Sequence, residues 1–376
     1  MAAHKAAPSG HVDLDKHKKV ICVGDVHGDF RALLRVLHHS EVADVPTVVL
    51  DLVEQCPTQR DDSRLRNPLS ESQFASISWR KGCKTAIVFL GDVLDNRRGS
   101  GADPYGVCAL AGTQTQMMLL LVKLHKQARK QGGKLIWVLG NHDVENAVSG
   151  TGNAWFCNNY APRYHMDPTT GEAYATCDAR GFSDTHAQHV RAALLATRSV
   201  AVVKIHSPKT KHSVVALHGG ISRDSMRVFT APESRGGPPA AYRLSTEHRP
   251  DENIRALNQL FHDVLHHGSR SAERFMHRNT EVLPTWCRPS HLEDPVKFQA
   301  LFGTARQIKA HDVQETANCN GRKANKASHM SDIELCRIDV GMSRCFGHVR
   351  RRAFTFIELT TQGQRLMRQI KEFPVA

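Results

Sequence analysis

Several features that would assign this 376-residue chain to a membrane or secreted class are missing from its sequence. The densest apolar run, Met117–Val122, falls far short of the roughly 20 residues that cross a bilayer. Residues 1–19 are rich in His, Lys and Ala and have no apolar core, so they do not resemble a secretory signal. We therefore expect no membrane partner.

Cysteine pairing motifs are also missing. The chain has ten cysteines, and no two of them form a Cys-x-x-Cys pair, which disfavours a zinc ribbon. A chain of this length can bury a core without disulfide bonds. We therefore expect reduced thiols and a cytoplasmic protein.

Positive charge is in excess, with a formal net charge of +13 and a pI near 9.4. A basic surface attracts nucleic acid, phosphoprotein or acidic peptide, and it also serves solubility alone. No aromatic residues interleave with the basic stretches such as Arg350–Arg352, so the pattern argues against nucleic acid.

Three apolar runs are each followed by Gly-Asp or Gly-Asn. They lie at 19–23, 85–90 and 134–139, and all are predicted strands. Helices are predicted over 30–39 and 114–131, and a further strand over 47–52. The alternation predicts an α/β fold, in which ligands collect at the carboxyl ends of strands.

The polar residues at these strand ends suit a centre of two metal ions. We predict that one carboxylate bridges the ions and that a shared water becomes the nucleophile that attacks a phosphate ester. The mixture of carboxylate, amide and imidazole favours two divalent ions of Mn, Fe or Zn. The predicted ligands are Asp25 and His27 for the first ion, Asp92 for the bridge, and Asn141, His218 and His311 for the second.

A second group of polar residues suits proton transfer and phosphate binding. His142 follows Asn141 directly, and Asp95 could hold its imidazole in one tautomer, as a general acid requires. Arg97 and Arg98 come next, and a guanidinium can bind two phosphoryl oxygens at once.

These motifs resemble those of the calcineurin-like metallophosphoesterase superfamily. Within it they are most similar to the serine/threonine phosphoprotein phosphatases (PPP type) and their Shewanella-like relatives. Asn96 stands where an arginine usually follows the second motif, and Asp143 replaces the usual glutamate of the third. The segments that carry the resemblance are Gly24–Gly28, Gly91–Asp95, Gly140–Asp143, His218–Ser222, Lys309–Val313 and Arg337–Ser343.

The resemblance implies a two-sheet β-sandwich flanked by helices, with the metals between the sheets. It covers most of the chain and leaves long segments between the motifs. We expect a flexible N-terminal tail over 1–18, a single catalytic domain over 19–360 with insertions near 53–83, 99–112, 150–185 and 230–300, and a C-terminal tail over 361–376.

The function predicted from these residues is hydrolysis of phosphate monoesters, with phosphoserine or phosphothreonine proteins as the first choice of substrate. One alternative is a dinucleoside polyphosphate hydrolase. Another is a pseudophosphatase that binds phosphorylated partners without turnover, although candidates for all the metal ligands are present. Nucleases and cyclic-nucleotide phosphodiesterases of the superfamily usually carry a Gly-His-x-His motif, and this sequence has no His-x-His.

Overall fold

The computed structural model describes residues 8–55, 65–95, 110–148, 154–161, 163–312, 317–320, 328–339 and 353–374. The helices are α1 Phe30–His39, α2 Thr47–Glu54, α3 Glu71–Ser76, α4 Gly112–Gln131, α5 Asn141–Asn146, α6 Ala154–Tyr160, α7 Asp184–Ala196, α8 Arg223–Thr230, α9 Pro250–His267, α10 Arg270–Arg278 and α11 Pro295–Phe302. Short 3-10 helices cover Glu233–Arg235, Ala240–Tyr242 and Thr280–Val282.

In the part of the chain that the structure describes, the strands form two large sheets and three small pairs. They are β1 His11–Asp13, β2 Val20–Val23, β3 Ala43–Asp44, β4 Ser78–Trp79, β5 Ala86–Phe89, β6 Lys134–Trp137, β7 Tyr164–Met166, β8 Ala173–Ala175, β9 Cys177–Asp178, β10 Gly181–Phe182, β11 Val202–Ser207, β12 His212–Leu217, β13 Ala305–Lys309, β14 Asn318–Cys319, β15 Ser328–His329, β16 Ile333–Arg337, β17 Ala353–Gln362 and β18 Arg365–Pro374.

Each large sheet in the described part of the chain has six strands. The first runs β15-β18-β17-β2-β5-β6, and the second runs β1-β11-β12-β13-β16-β14. In the first sheet β2, β5 and β6 are parallel to one another, and in the second β12, β13 and β16 are parallel. Because polar motifs follow these six strands, the parallel order brings three motifs together at one edge of each sheet.

Helices pack against both sheets, as the predicted fold class requires. Helices α1 and α4 contact the first sheet at β17 and β6, while α9 and α11 contact the second at β11 and β13. One continuous hydrophobic core includes the fully buried strands β2 and β5 of the first sheet and the buried residues 214–217 of β12 in the second. The α/β fold with two sheets flanked by helices is therefore confirmed.

Two expected tails contain strands. Residues 11–13 of the expected N-terminal tail form β1, which pairs in parallel with β11. Residues 365–374 of the expected C-terminal tail form β18, which pairs along its whole length with β17. Both segments are held by backbone hydrogen bonds of a sheet, so neither is a frayed end.

Two expectations about local structure were wrong. Residues 47–52, expected as a strand, lie in helix α2, which buries Val49, Leu50 and Val53 on one face. Disulfide bonds join Cys157 to Cys177 and Cys319 to Cys336, against the expectation of reduced thiols. Among the described residues, no helix is both long enough and apolar enough to cross a membrane.

Candidate metal centre

The site forms where the parallel strands of the two sheets end. Asp25, Asp92 and Asn141 follow β2, β5 and β6 of the first sheet, and His218 and His311 follow β12 and β13 of the second. The first four of these are at most 2% exposed, and His311 is 9% exposed. Two sheets therefore contribute ligands to one buried cluster.

Two glycines allow the strand ends to approach one another. A Cβ on Gly91 would lie 2.5 Å from the Gly140 nitrogen and 2.9 Å from His218 Nδ1, and Gly91 has a φ of +93°. A Cβ on Gly140 would lie 2.2 Å from the Asp92 nitrogen. Any larger residue at either position would separate Asp92 from Asn141.

Four of the eight non-glycine residues with positive φ in the described part of the chain lie at the site. His27, Asp92, Asp95 and His311 all have positive φ values, of 45°, 47°, 68° and 66°. This conformation is uncommon outside glycine, and it persists where the surroundings enforce it. Three of these residues, His27, Asp92 and His311, are predicted ligands, and Asp95 contacts His142.

The first group of ligand atoms comes from Asp25, His27 and Asp92. His27 Nε2 lies 3.5 Å from Asp25 Oδ2 and 3.6 Å from Asp92 Oδ2. The backbone nitrogen of His27 donates to the Asp92 carbonyl oxygen over 2.8 Å, which ties the two loops together.

The second group of ligand atoms surrounds His218. Its Nε2 lies 3.0 Å from Asn141 Oδ1, 3.0 Å from His311 Nδ1 and 3.2 Å from Asp92 Oδ2. Its Nδ1 donates to the Leu90 carbonyl over 2.7 Å, so the Nε2 lone pair faces the other ligands. Asp92 Oδ2 belongs to both groups, which is the position expected of a bridge.

The two buried carboxylates of this cluster, Asp25 and Asp92, have pKa values shifted in opposite directions. Burial, Asp339 and Asp92 raise the pKa of Asp25 well above its usual range. Burial alone would raise the pKa of Asp92, but His218, His142 and His27 hold it well below that range. Burial opposes protonation of His218, but Asp92, the Leu90 carbonyl and Asp143 together raise its pKa. Buried carboxylates of this kind need cations beside them.

The residues fit divalent metal ions. Atoms that bind one ion at about 2.1 Å and near right angles to each other lie about 3 Å apart. The contacts of 3.0 to 3.2 Å around His218 Nε2 match that spacing. Asp25 and His27 would hold one ion, Asn141, His218 and His311 the other, and Asp92 both.

The His142–Asp95 pair lies beside the ligands. His142 Nδ1 and Asp95 Oδ2 are 2.9 Å apart, and both side chains are buried. His142 Nε2 faces the centre, 3.8 Å from Asp92 Oδ2, and the ring contacts His27 edge-on at 4.7 Å. Because Nε2 is also near His27 and Asp92, His142 could itself join a metal group. Arg97 and Arg98 lie outside the described residues.

Sequence reasoning missed three neighbours of the site. Asp339 follows β16, is 1% exposed and interacts with Asp25, so it completes the set of strand ends. Its signal was a carboxylate within the segment Arg337–Ser343, which is one of those that carry the family resemblance. Tyr160 contacts the His142 ring at 5.0 Å, and Asn146 donates a hydrogen bond to Asp95. Neither contact could be predicted from the spacing of these residues in the sequence.

Comparison with known families adds an independent finding. Residues 18–288 match the sequence profile of the family described as calcineurin-like phosphoesterase. This range contains every predicted ligand except His311. Comparison with curated proteins found no match.

Solved structures of similar shape belong to proteins named as phosphatases. A point mutant of a cold-active protein tyrosine phosphatase aligns with 99% of this chain and 85% of its own, at TM-score 0.50 and 16% identity. A cold-active protein-tyrosine phosphatase of a psychrophilic Shewanella species has a TM-score of 0.48 and 17% identity, over 98% of this chain and 83% of its own. A protein serine/threonine phosphatase from Saccharomyces cerevisiae, with similarity to human phosphatase PP5, has a TM-score of 0.44 and 13% identity, over 98% of this chain and 85% of its own. At 16% identity, the similarity to the first of these structures concerns the fold alone.

Proposed function

The chain belongs to the calcineurin-like phosphoesterase family, and we propose that it removes phosphate from serine and threonine side chains of proteins. The observation that carries the proposal is the His142–Asp95 pair beside the ligand cluster. An alcohol such as serine is a weak acid and leaves poorly as an alkoxide, so its departure requires a proton donor.

Each side chain then has a defined task. Two divalent ions of Mn, Fe or Zn would supply an activated water and relieve charge on the phosphoryl oxygens. Asp25, His27, Asp92, Asn141, His218 and His311 would hold them. His142 would donate its Nε2 proton to the leaving oxygen, and Asp95 keeps the other ring nitrogen engaged at 2.9 Å.

Positive surface charge supports a phosphorylated protein as partner. The net charge of +13 favours encounter with acidic or phosphorylated segments. Arg97 and Arg98 remain the candidates for binding the phosphoryl oxygens.

A substrate panel tests the proposal. Protein stripped of metal with chelator and reloaded with Mn²⁺ should hydrolyse phosphoserine and phosphothreonine peptides. The panel should also contain a phosphotyrosine peptide, p-nitrophenyl phosphate and a dinucleoside polyphosphate. Preference for the dinucleotide would replace the proposal with the hydrolase alternative. Binding of phosphopeptides without turnover would identify a pseudophosphatase.

The variant His142→Gln distinguishes a role of His142 as general acid from a role as metal ligand. Its turnover of a phosphoserine peptide should fall about 10²–10⁴-fold, as expected when a general acid is lost. Turnover of p-nitrophenyl phosphate should fall less, because p-nitrophenolate leaves without a proton. Metal content, measured by mass spectrometry of the purified variant, should stay unchanged. Loss of one ion would instead make His142 a ligand.

A further inference from the structure

The side chain of Asn146 connects the His142–Asp95 pair to a more distant histidine. Asn146 is the last residue of α5 and is fully buried. Its Nδ2 donates to Asp95 Oδ2 over 2.8 Å and to the His142 carbonyl oxygen over 2.9 Å. Both partners are acceptors, so the orientation of the amide is fixed and its Oδ1 points away from the catalytic pair.

His186 occupies the other side of this amide. Its Nε2 lies 2.7 Å from Asn146 Oδ1, and since that oxygen can only accept, His186 must carry its proton on Nε2. Its Nδ1 then accepts from the Tyr174 hydroxyl, 3.4 Å away. Burial and the nearby His165 and His189 lower the pKa of His186, in keeping with a neutral ring.

The hydrogen bonds therefore converge on Asp95. From one side Tyr174 on β8 donates to His186 on α7, His186 donates to Asn146, and Asn146 donates to Asp95. From the other side His142 donates to the same carboxylate oxygen. Tyr174 lies in the segment 150–185, which the sequence predicts as an insertion. A segment without predicted chemistry is thus connected to the catalytic pair through His186 and Asn146, by a partly buried hydrogen bond from Tyr174 and buried ones beyond it.

Asp95 lies on a strained turn of the backbone. Its φ is +68°, and its backbone nitrogen is held by Gln114 Oε1 over 3.0 Å. Rotation of the carboxylate would remove the hydrogen bond to His142 Nδ1 and leave ring contacts such as those with His27 at 4.7 Å and Tyr160 at 5.0 Å. A side-chain amide that holds Oδ2 from the far side prevents that rotation.

We propose that Asn146 and His186 are positioning residues that fix the Asp95 carboxylate and, through it, the imidazole of His142. This inference rests on the proposed function, since it takes His142 as the general acid. It adds that the insertion carrying Tyr174 and Tyr160 sets the orientation of that acid.

A matched set of variants at His186 tests the proposal. His186→Gln keeps an N–H donor close to the Nε2 position, while His186→Leu removes it. His165→Phe is the control, because His165 packs on His186 with ring centroids 4.6 Å apart but has no hydrogen-bond partner among the described residues. Asn146→Ala removes the linking amide itself.

The discriminating measurement is the dependence of kcat on the leaving group. For His186→Leu and Asn146→Ala we expect kcat on a phosphoserine peptide to fall about 10- to 100-fold, a part of what general acids contribute. On p-nitrophenyl phosphate kcat should fall by less than about three-fold, because p-nitrophenolate needs little proton donation to leave. KM should hold steady, His186→Gln should recover most of the loss, and His165→Phe should match the wild type.

Three outcomes overturn the proposal. They are equal losses on both substrates, an equal loss in His165→Phe, and no recovery in His186→Gln. If Asn146→Ala does not fold, the comparison of His186→Leu with His186→Gln still decides the test.

A proton NMR measurement separates this inference from the proposed function. The Nδ1–H resonance of His142, assigned by its absence in His142→Gln, should move in His186→Leu and return in His186→Gln. An unmoved resonance rejects the positioning role. If the variants show this pattern but the wild-type protein hydrolyses no phosphoester, the proposed function alone is rejected.

Discussion

Trp137 Nε1 donates a hydrogen bond of 3.0 Å to Asp143 Oδ2 at the turn between β6 and α5. The same oxygen accepts from the Gly140 nitrogen, while Asp143 Oδ1 accepts from the nitrogens of Val93 and Leu94. Asp143 thereby joins the loop that carries Asp92 to the loop that carries Asn141. The aspartate replaces the glutamate usual in the family motif, and here it holds both loops.

Replacing Asp143 should therefore disturb stability and activity together. Asp143→Asn turns one oxygen into an NH₂ group that faces buried N–H donors, at a cost of about 1–3 kcal/mol for the orphaned donors. We expect a lower free energy of unfolding in urea and a clear loss of phosphatase activity. Trp137→Phe removes one donor only and should have a milder effect on both.

Trp79→Phe provides the matched control for the tryptophan variant. Trp79 is also buried, and its Nε1 donates to the Cys83 carbonyl over 3.0 Å, away from the ligand cluster. The variant should lose stability but keep full activity. Equal activity losses in both tryptophan variants would show that the Trp137–Asp143 contact has no special link to the site.

The bridging role of Asp92 predicts coupled loss of metal and activity. In Asp92→Asn the oxygen shared by both ligand groups loses its charge, so both ions should bind more weakly. We expect activity with Mn²⁺ to fall by about 10²-fold or more and bound metal to fall in elemental analysis. Circular dichroism should show an intact fold.

Asp29→Asn is the control for that variant. Asp29 is equally buried, but its Oδ1 caps helix α1 by accepting from the Ala32 nitrogen, and asparagine caps as well as aspartate. The variant should keep its metal and its activity. If Asp92→Asn retains both ions and full turnover, the bridge assignment is rejected.

The metal centre was predictable because its signals are local. Each of Asp25, Asp92 and Asn141 follows a glycine at the end of an apolar run, and parallel strands bring such ends together. The match over residues 18–288 confirms the family resemblance drawn from these motifs. The roles of the six ligands remain predictions, although the structure gathers all six side chains.

The elements that sequence reasoning missed depend on tertiary contacts. Strand β18 carried a usable signal, since Leu366, Arg368 and Ile370 alternate as buried residues. Arg368 obscured the pattern, because its burial depends on an ion pair with Glu334. In α2 the β-branched residues favoured a strand, but burial of one helical face overrode local propensity.

The contact between Asn146 and His186 could not be read from the sequence at all. The two residues are 40 positions apart, and neither belongs to a recognisable motif. Only the packing of α7 against α5 brings them together. Positioning residues of this type have no fixed spacing from the residues that they support.

The disulfide bonds predict a redox-sensitive stability. Reduction of Cys157–Cys177, which are separated by 20 residues, should lower the free energy of unfolding by about 3 kcal/mol in the chain-entropy model. Urea denaturation with and without reductant measures the effect, with Cys157→Ser and Cys177→Ser combined as the genetic equivalent.

Peptide mapping without reductant checks that the bond exists. The peptides that carry Cys157 and Cys177 should appear linked, while Cys22 and Cys287, which are free thiols, should be alkylated once the protein is unfolded. Alkylation of all four would show that the protein is reduced as purified and remove the basis of this prediction.

Buried His165 predicts that stability falls at acid pH. Burial and the nearby His189 lower its pKa from 6.5 to about 3, and neither ring nitrogen has a hydrogen-bond partner among the described residues. Between these values the unfolded chain binds a proton that the folded protein does not, so stability is lost as the pH falls below about 6.5. Each unit of pH costs about 1.4 kcal/mol for one such residue, and His186 acts in the same direction. Urea titrations of His165→Phe should therefore show a shallower loss of stability between about pH 6 and pH 5 than the wild type. An identical slope in both proteins would mean that His165 is already protonated in the fold.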